Sequence, residues 1–199
     1  MSKSLRITSG QARGRVIKAP HTEKCRPTTQ KTRAAVAATL KPLLSKESSV
    51  LDLFAGSGAL GFELLSLGAA SCVFVDLVTY CIEDNIQKLG WDKRCQLWRG
   101  DVLKYLRTHR GTRVDFILMD PPYALEPLLH SALKAIVQFQ TLKPHGMVVA
   151  EHAPQFNLNP PSGLFLERRK RYGSTAISYL VTESGRSLGP AQLEVGEYT

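Results

Sequence analysis

The sequence predicts an α/β fold with a mostly parallel sheet covered by helices on both faces, and three observations support this. From Val50 onward, short apolar runs alternate with helix-length segments, which is typical of βαβ units. A glycine-rich loop lies between the first of these runs and the helix-length segment that follows it. The last two runs follow each other with no helix between them, so a terminal hairpin should add an antiparallel strand.

The near-continuous apolar character of the early runs indicates strands that are buried on both faces. The runs expected to form parallel strands are residues 50–54, 72–75, 95–98, 114–119 and 147–150. The segments with the length of helices are residues 58–67, 79–89, 101–108 and 126–141. The two terminal strands are expected at residues 163–171 and 175–182, joined across Gly173 and Ser174.

The residues before this alternation form a separate N-terminal segment. Two β-like pieces, at residues 5–8 and 15–18, predict a small hairpin or an extended arm. An Ala-rich stretch from about Thr28 to Leu44 has helical spacing of its apolar residues and predicts a helix. We therefore divide the chain into a basic arm, an α/β domain and a tail, at residues 1–46, 47–184 and 185–199.

Positive charge is concentrated in the arm. It holds eleven Lys and Arg residues and one acid, Glu23, a net charge of +10, whereas the other 153 residues hold fifteen bases and sixteen acids. This asymmetry favours a polyanionic partner, although a solvated terminus would have the same composition. A second basic cluster at residues 168–171 would extend the phosphate-binding surface if it folds beside the arm. The cations expected to contact nucleic acid are Arg6, Arg13, Arg15, Arg26, Arg33, Arg168, Arg169, Lys170 and Arg171.

Composition argues against several other classes of protein. No run of about 18 uninterrupted apolar residues is present, so we expect no transmembrane segment and no membrane partner. The N-terminus lacks the apolar core of a secretory signal. The spacing of the histidines and cysteines predicts no metal site, and reduced thiols in a cytoplasmic protein are expected. The four cysteines are scattered, at Cys25, Cys72, Cys81 and Cys95.

The glycine-rich loop predicts a cofactor site. Residues 56–61 read Gly-x-Gly-x-x-Gly, a spacing that lets the backbone turn sharply and approach a ligand beside helix N-terminal amides. A tight turn with packing glycines is the alternative. In dinucleotide enzymes this loop faces a pyrophosphate, which a carboxylate at Asp52, four residues before Gly56, would repel. The same carboxylate would accept a hydrogen bond from the α-ammonium group of S-adenosylmethionine, which carries no phosphate.

Two further acids extend this predicted site. Asp76 ends the second strand of the alternation, where it would hold the ribose hydroxyls. Asp101 opens the helix after the third strand, where it would reach the adenine amino group, cap the helix or do both. The residues predicted to bind the cofactor are Asp52, Phe54, Ala55, Gly56, Ser57, Gly58, Asp76, Leu77, Asp101 and Val102.

The segment after the fourth strand indicates chemistry on an amino group. It reads Asp120, Pro121, Pro122, Tyr123 and should lie beside the glycine loop at the carboxyl edge of the sheet. The prolines remove backbone donors, which leaves carbonyl and carboxylate oxygens to orient the N–H groups of an exocyclic amine. Tyr123 offers a face on which a flipped-out base would stack. A rigid turn with Tyr123 as a packing residue is the alternative.

Taken together, these motifs resemble the RsmD family of methyltransferases over about residues 5–182. The resemblance implies a Rossmann-like class I methyltransferase sheet of seven strands and S-adenosylmethionine as cofactor. It also implies methylation of a guanine N2 in small-subunit (16S) ribosomal RNA, with that RNA or the assembling subunit as partner. The segments that carry it are residues 6–15, 26–29 (Arg-Pro-Thr-Thr), 52–61, 120–123 and 170–175.

The chain departs from the family pattern just after Thr29. Gln30 stands where the family has an acid, and Ala34 follows Arg33 where the family has an Arg-Glu pair, which makes the arm more basic. Arg26, Thr28 and Thr29 match the family motif, and they would either cap and dock the helix against the catalytic domain or contact RNA. Docking is favoured for the threonines, and contact with RNA or the active site for Arg26.

Three other functions compete with guanine-N2 methylation. An adenine-N6 methyltransferase acting on DNA or RNA would use the same Asp-Pro-Pro-Tyr segment, although the short chain leaves little room for a target-recognition domain. A nicotinamide-dependent oxidoreductase would use the same sheet, but Asp52 and Asp120 argue against it. A catalytically silent RNA-binding protein finds no support in the intact motifs.

Overall fold

Strands and helices alternate along the chain from Ser49 onward. The structure is a computed structural model that describes residues 4–20, 29–121 and 126–187. Its strands are β1 (Ser4–Arg6), β2 (Val16–Lys18), β3 (Ser49–Leu53), β4 (Ser71–Asp76), β5 (Cys95–Arg99), β6 (Val114–Met119), β7 (Leu142–His152), β8 (Phe165–Tyr172) and β9 (Thr175–Val181). Its α-helices are α1 (Gln30–Leu40), α2 (Ala59–Leu67), α3 (Tyr80–Leu89), α4 (Val102–Thr108) and α5 (Glu126–Gln138).

Seven of the strands form one sheet in the order β5-β4-β3-β6-β7-β9-β8. Strands β3 to β7 pair in parallel, and β9 runs antiparallel to both of its neighbours, β7 and β8. The predicted parallel sheet with a terminal antiparallel hairpin is therefore confirmed. Strand order reverses between β3 and β6, and ligands of open α/β sheets bind at the carboxyl ends of the strands at such a switch point.

Helices cover both faces of the sheet, as the apolar strands require. On one face, Phe62 of α2 and Ile82 of α3 pack in one cluster with Phe74 of β4. On the other face, Leu106 of α4 and Leu133 of α5 pack in a second cluster with strands β3, β4, β6 and β7. We refer to these below as the α2 face and the α5 face.

The N-terminal arm packs on the α2 face. Strands β1 and β2 form the predicted antiparallel hairpin, with Ser4 opposite Lys18. Ile7 and Ile17 are each 1% exposed and belong to the same apolar cluster as α2 and α3. The described part of the arm thus shares the core of the α/β domain.

Helix α1 begins as predicted but ends earlier. The Thr29 side chain caps it by accepting a hydrogen bond from the Thr32 N–H at 3.1 Å. The helix gives way to a 3-10 turn at Lys41–Leu43 because Pro42 lacks a backbone N–H, and its ring crowds the carbonyl four residues before it.

Strand β7 is longer than the apolar run at 147–150 that predicted it. It begins at Leu142, and its pairing with β6 shifts register between Val114 and Phe116. The extra residues include Lys143, Pro144 and His145, whose polarity and missing N–H disguised the strand in the sequence.

Candidate active site

The glycine loop joins β3 to α2 and is fastened to the end of β4. The Gly56 N–H donates to Asp76 Oδ2 at 2.8 Å, and the Ala55 N–H donates to the Val75 carbonyl at 3.2 Å. Phe54, Gly56 and Gly58 all have positive φ, at 59°, 55° and 75°. The left-handed conformation is strained for Phe54, and such strain concentrates at functional sites.

Glycine at positions 58 and 61 is required by close packing. A Cβ on Gly58 would lie 2.7 Å from the Phe62 ring. A Cβ on Gly61 would lie 2.5 Å from the Phe74 ring and 2.9 Å from Asp52 Oδ2. These glycines let α2 approach the sheet, so its N-terminal amides stay beside the loop.

Asp52 lies beneath this loop and is 2% exposed. Its Oδ2 accepts a hydrogen bond from the Gly61 N–H at 3.0 Å. Burial raises the pKa of the Asp52 carboxyl well above its ordinary value, and the nearby carboxylates of Asp120 and Asp76 raise it further, against the effect of the Gly61 N–H. Acids from three neighbouring strands therefore meet here, and their combined potential attracts a cation.

Asp76 and Asp101 hold the two loops on the other side of the site. The Asp76 carboxylate accepts from the Gly56 N–H through one oxygen and from the Val78 N–H through the other, at 2.9 Å for the second. Asp101 caps α4 by accepting from the Lys104 N–H at 2.8 Å. Helix capping was one of the two roles predicted for it. Its carboxylate stays exposed, so the capping bond leaves a route to a ligand.

Apolar side chains stand in solvent next to these acids. Leu77 is 65% exposed, Val78 48% and Tyr80 54%. Together they form a small exposed apolar patch beside the acids. Val102, also predicted to bind the cofactor, is 4% exposed and packs on the α5 face with Leu106, so its side chain belongs to the core.

Asp120 follows β6 directly and lies next to the glycine loop. Met119 pairs with Leu53 of β3, so the first residues after the two strands are neighbours at the carboxyl edge. Asp120 is half-buried and Pro121 is buried. Pro122 and Tyr123 lie outside the described residues.

The predicted RNA-binding cations of the arm that the structure describes differ in what lies next to their side chains. Arg13 is exposed at a groove of about 620 Å³ between the arm, α1 and the end of α2, with Lys41 on the same groove. Arg6 and Arg15 are exposed as well, and they donate to the carbonyls of Gly14 and Lys88. Arg26 lies outside the described residues.

Arg33 corrects the prediction that it contacts RNA. It is 1% exposed, its guanidinium donates to the Arg6 carbonyl at 2.9 Å, and its Nε lies 3.7 Å from Glu63 Oε1. Glu63 of α2 also accepts from the N–H and hydroxyl of Thr8. A guanidinium enclosed in this way fastens the arm and α1 to α2 and is unavailable to a phosphate.

The basic run 168–171 is divided between the two faces of the sheet. Arg168 and Lys170 pair with Tyr179 and Ile177, whose side chains lie in the cluster of the α2 face. Arg169 points to the α5 face, where its guanidinium donates to the carbonyls of Pro154 and Phe156.

The run therefore does not present all four cations on one surface, because side chains alternate along a strand. Burial and the charge of Arg168 lower the pKa of Lys170, as expected for two cations on one face. Arg171, which alternates with Lys170, donates to the Gly173 carbonyl.

A further group of exposed cations, on and just after α4, was not predicted from the sequence. Lys104 and Arg107 of α4, together with Arg110 just after it, are exposed. The signal was present, since no acid occurs between Asp101 and Asp115. It was overlooked because the chain outside the arm is close to neutral as a whole.

Among the described residues, no group of three or more His, Cys, Asp or Glu side chains is placed to hold a metal ion. In the same part of the chain, no helix combines the length and apolar character needed to cross a membrane.

Comparison with known proteins places this arrangement in a class. Residues 5–181 match the protein family described as Conserved hypothetical protein 95. YlbH of Bacillus subtilis, provisionally named an rRNA methyltransferase, is 34% identical over 180 residues, covering 87% of this chain and 97% of YlbH. Ribosomal RNA small subunit methyltransferase D of Escherichia coli is 29% identical over 178 residues, covering 88% of each chain.

The fold agrees with these sequence matches. The structure of YhhF from Escherichia coli, provisionally named a methyltransferase, superposes with a TM-score of 0.81 at 25% identity, covering 92% of this chain and 99% of that one. The sheet order, the glycine loop and the acids at the strand ends thus define an S-adenosylmethionine-dependent methyltransferase. The chain belongs to the RsmD/YlbH family, matched here as Conserved hypothetical protein 95.

The residues of the cleft fit S-adenosylmethionine chemically. The cofactor carries an ammonium and a sulfonium, and the carboxyl groups of Asp52, Asp76 and Asp120 lie close enough to interact, so their negative potential would stabilise a cation. Asp76 and the exposed Leu77 provide a hydroxyl acceptor next to an apolar surface, which matches a ribose joined to an adenine.

Proposed function

We propose that this protein transfers the methyl group of S-adenosylmethionine to the exocyclic N2 of a guanine in small-subunit ribosomal RNA. The observation that carries the proposal is the position of Asp120, one residue beyond the Met119–Leu53 pair and therefore beside the glycine loop. An acceptor for an amine and a site for a methyl donor would thereby be adjacent. Ribosomal RNA is proposed as the substrate because the relatives in Escherichia coli and Bacillus subtilis are named as methyltransferases of ribosomal RNA.

The cofactor would be held between β3, β4 and α4. Asp52 would stabilise its ammonium, directly or through the amides that Asp52 orders. Asp76 would accept from the ribose hydroxyls, and Asp101 from the adenine amine, with Leu77 against the ring. The bound cofactor supplies a sulfonium-activated methyl group. The loop residues Phe54, Ala55, Gly56, Ser57 and Gly58 would shape the backbone around it.

Asp120 would prepare the amine for attack. The lone pair of an exocyclic amine is delocalised into the base, so the nitrogen is a weak nucleophile. A carboxylate that accepts an N–H hydrogen bond orients this nitrogen and stabilises the positive charge that develops as the methyl group arrives. As the nitrogen forms its bond to the methyl carbon, the carbon–sulfur bond of the donor would break and S-adenosylhomocysteine would leave. The proton of the methylated nitrogen, which is strongly acidic, would pass to the Asp120 carboxylate or to water. Pro121 and Pro122 would keep the segment rigid, and Tyr123 would stack on the flipped base.

The RNA would lie across the α2 face. Arg13 and Lys41 flank the groove there, and Arg6 and Arg15 lie in the adjoining hairpin. Arg168 and Lys170, which lie on the same face of β8, would contribute further phosphate contacts. The arm at 1–46 would thus supply phosphate contacts, Arg26 included, to the catalytic domain at 47–184. Phosphate contacts position RNA without reading its bases, so guanine must be recognised in the cleft.

Nucleoside analysis tests the proposal. Unmodified small ribosomal subunits and the free RNA are each incubated with protein and labelled S-adenosylmethionine, then digested to nucleosides. We expect label in N2-methylguanosine. Label in N6-methyladenosine would replace guanine by adenine as target, and label in neither particle nor RNA would overturn the proposal.

A further inference from the structure

We propose that Asn85 is a positioning residue that ties the N-terminal hairpin to the glycine loop, so that cofactor affinity depends on the hairpin. This rests on the cofactor role of the loop and goes beyond the proposed reaction. Asn85 lies on α3, outside every motif that the sequence analysis identified.

The Asn85 carboxamide is fully enclosed and fully bonded. It is 0% exposed. Its Oδ1 accepts from the Lys18 N–H at 2.8 Å, and its Nδ2 donates to the Lys18 carbonyl at 2.9 Å. Its Nδ2 also donates to the Ser57 carbonyl at 3.2 Å. One amide group therefore joins the backbone of β2 to the backbone of the glycine loop.

The loop is thereby held from two sides. Asp76 accepts from the Gly56 N–H on one side, and Asn85 donates to the Ser57 carbonyl on the other. Gly56 and Gly58, which flank Ser57, both have positive φ, and glycine loses the most conformational freedom on ordering. A loop of this kind depends on external hydrogen bonds to stay in one conformation, and ordering it before the ligand arrives lowers the entropy loss on binding.

Among the described residues, Ile17 also packs with α3 in the apolar cluster, and the other polar links between hairpin and α3 are at the surface. The Lys18 ammonium pairs with Asp84 at 2.6 Å, with both side chains about half exposed. Arg15 donates to the Lys88 carbonyl. Exposed pairs of this kind contribute little, and the apolar packing of Ile17 makes no hydrogen bond to the glycine loop. The buried Asn85 is therefore the polar contact that joins the hairpin to the loop backbone.

The connection has a consequence for substrate binding. The hairpin and its turn carry Arg6, Arg13 and Arg15, which we propose contact RNA. If RNA binding fixes the position of the hairpin and thereby changes cofactor affinity, thermodynamic linkage requires that cofactor changes RNA affinity by the same factor. Asn85 would be the physical contact that couples the two ligands.

Asn85→Leu tests the role because it keeps a similar volume and removes all three hydrogen bonds. We expect the dissociation constant and KM for S-adenosylmethionine to rise about tenfold, with kcat at saturating cofactor within about twofold of wild type. A folded Asn85→Leu protein whose cofactor dissociation constant stays within twofold of wild type would overturn the proposal. Wild-type protein that binds no cofactor would instead refute the proposed function.

Two control variants separate the buried contact from its surroundings. Gln87→Leu changes an exposed residue of the same helix. Lys18→Met removes the surface pair with Asp84 but keeps the backbone groups that Asn85 binds. Both should bind cofactor like wild type.

Hydrogen exchange supplies a second measurement should Asn85→Leu fail to fold. In the wild-type protein, S-adenosylhomocysteine should slow exchange of the Lys18 amide, which donates to Asn85. Unchanged exchange at Lys18 with the ligand bound would contradict the coupling.

Discussion

At the carboxyl edge of the sheet, acidic side chains are fixed by backbone amides, whereas the cations of the arm and β8 are spread over two faces. Both oxygens of Asp76 accept from loop amides, and Asp52 is buried against Gly61. Arg13 is exposed, and Arg168 and Arg169 point to opposite faces. The acids form a site of fixed geometry, while the cations produce a field that any phosphate can use. Side chains of fixed geometry are therefore concentrated at the edge of the sheet where we propose that methyl transfer occurs.

Arg33 should show the largest effect because it is a cation that, like the acids, is fixed by specific buried partners. Removing it by Arg33→Met leaves Glu63 buried without its ionic partner, and breaking such a pair costs about 3–5 kcal/mol. We expect a large loss of unfolding free energy in urea titration. Arg13→Glu should unfold like wild type. Equal stability of Arg33→Met and wild type would show that the buried pair is replaceable.

Asp120 tests whether the acid edge performs the reaction. Replacing it by Asp120→Ala removes an acceptor that acts on the developing charge, so kcat should fall about 100- to 1,000-fold. The dissociation constant for S-adenosylmethionine should change little, as measured by calorimetry. Asp92→Ala, an exposed acid in a 3-10 turn, serves as control and should leave both quantities unchanged. A loss of cofactor binding that matched the loss of turnover would move Asp120 into the cofactor site.

Arg13 and Arg169 test which face of the sheet carries the RNA. Arg13→Glu should weaken RNA binding and reduce the slope of log affinity against log salt by about one. Arg169→Glu, on the α5 face, should reduce the slope less. A larger effect at Arg169 would place the RNA on the α5 face, next to Lys104 and Arg107.

The smallest effect on stability is expected at Asp115, an acid that accepts hydrogen bonds from Lys143 and Ser49. Burial raises its pKa, but hydrogen bonds from Lys143 and Ser49 lower it more, so its folded pKa lies below the ordinary value. Its contribution to stability is therefore complete above the unfolded pKa of about 3.9 and is lost as pH falls through the folded value. Asp115→Asn should be less stable than wild type at pH 7, and the gap should close below about pH 4. A gap that is constant with pH would assign the effect to packing.

The sequence predicted the parts of the molecule that depend on neighbours along the chain. The Gly-x-Gly-x-x-Gly spacing placed a loop before α2, and Thr29 marked the start of α1, because turns and helix caps are formed by adjacent residues. The sequence also predicted that Asp52, Asp76 and Asp120 lie near one another, because parallel strands end at one edge of the sheet.

The parts that were missed depend on distant neighbours. Arg33 is buried by Glu63 and the arm, and Asn85 is joined to Lys18 across 67 residues. Nothing in the local sequence of either residue predicts these partners. The run at 168–171 was expected to act together because composition does not say which face each side chain takes.

The most direct test of the central claim is the nucleoside that becomes methylated. Wild-type and Asp120→Ala proteins are incubated in parallel with unmodified small subunits and labelled cofactor. We expect N2-methylguanosine with wild-type protein and almost none with the variant. Methylated adenine, or equal yields of N2-methylguanosine from both proteins, would contradict this claim.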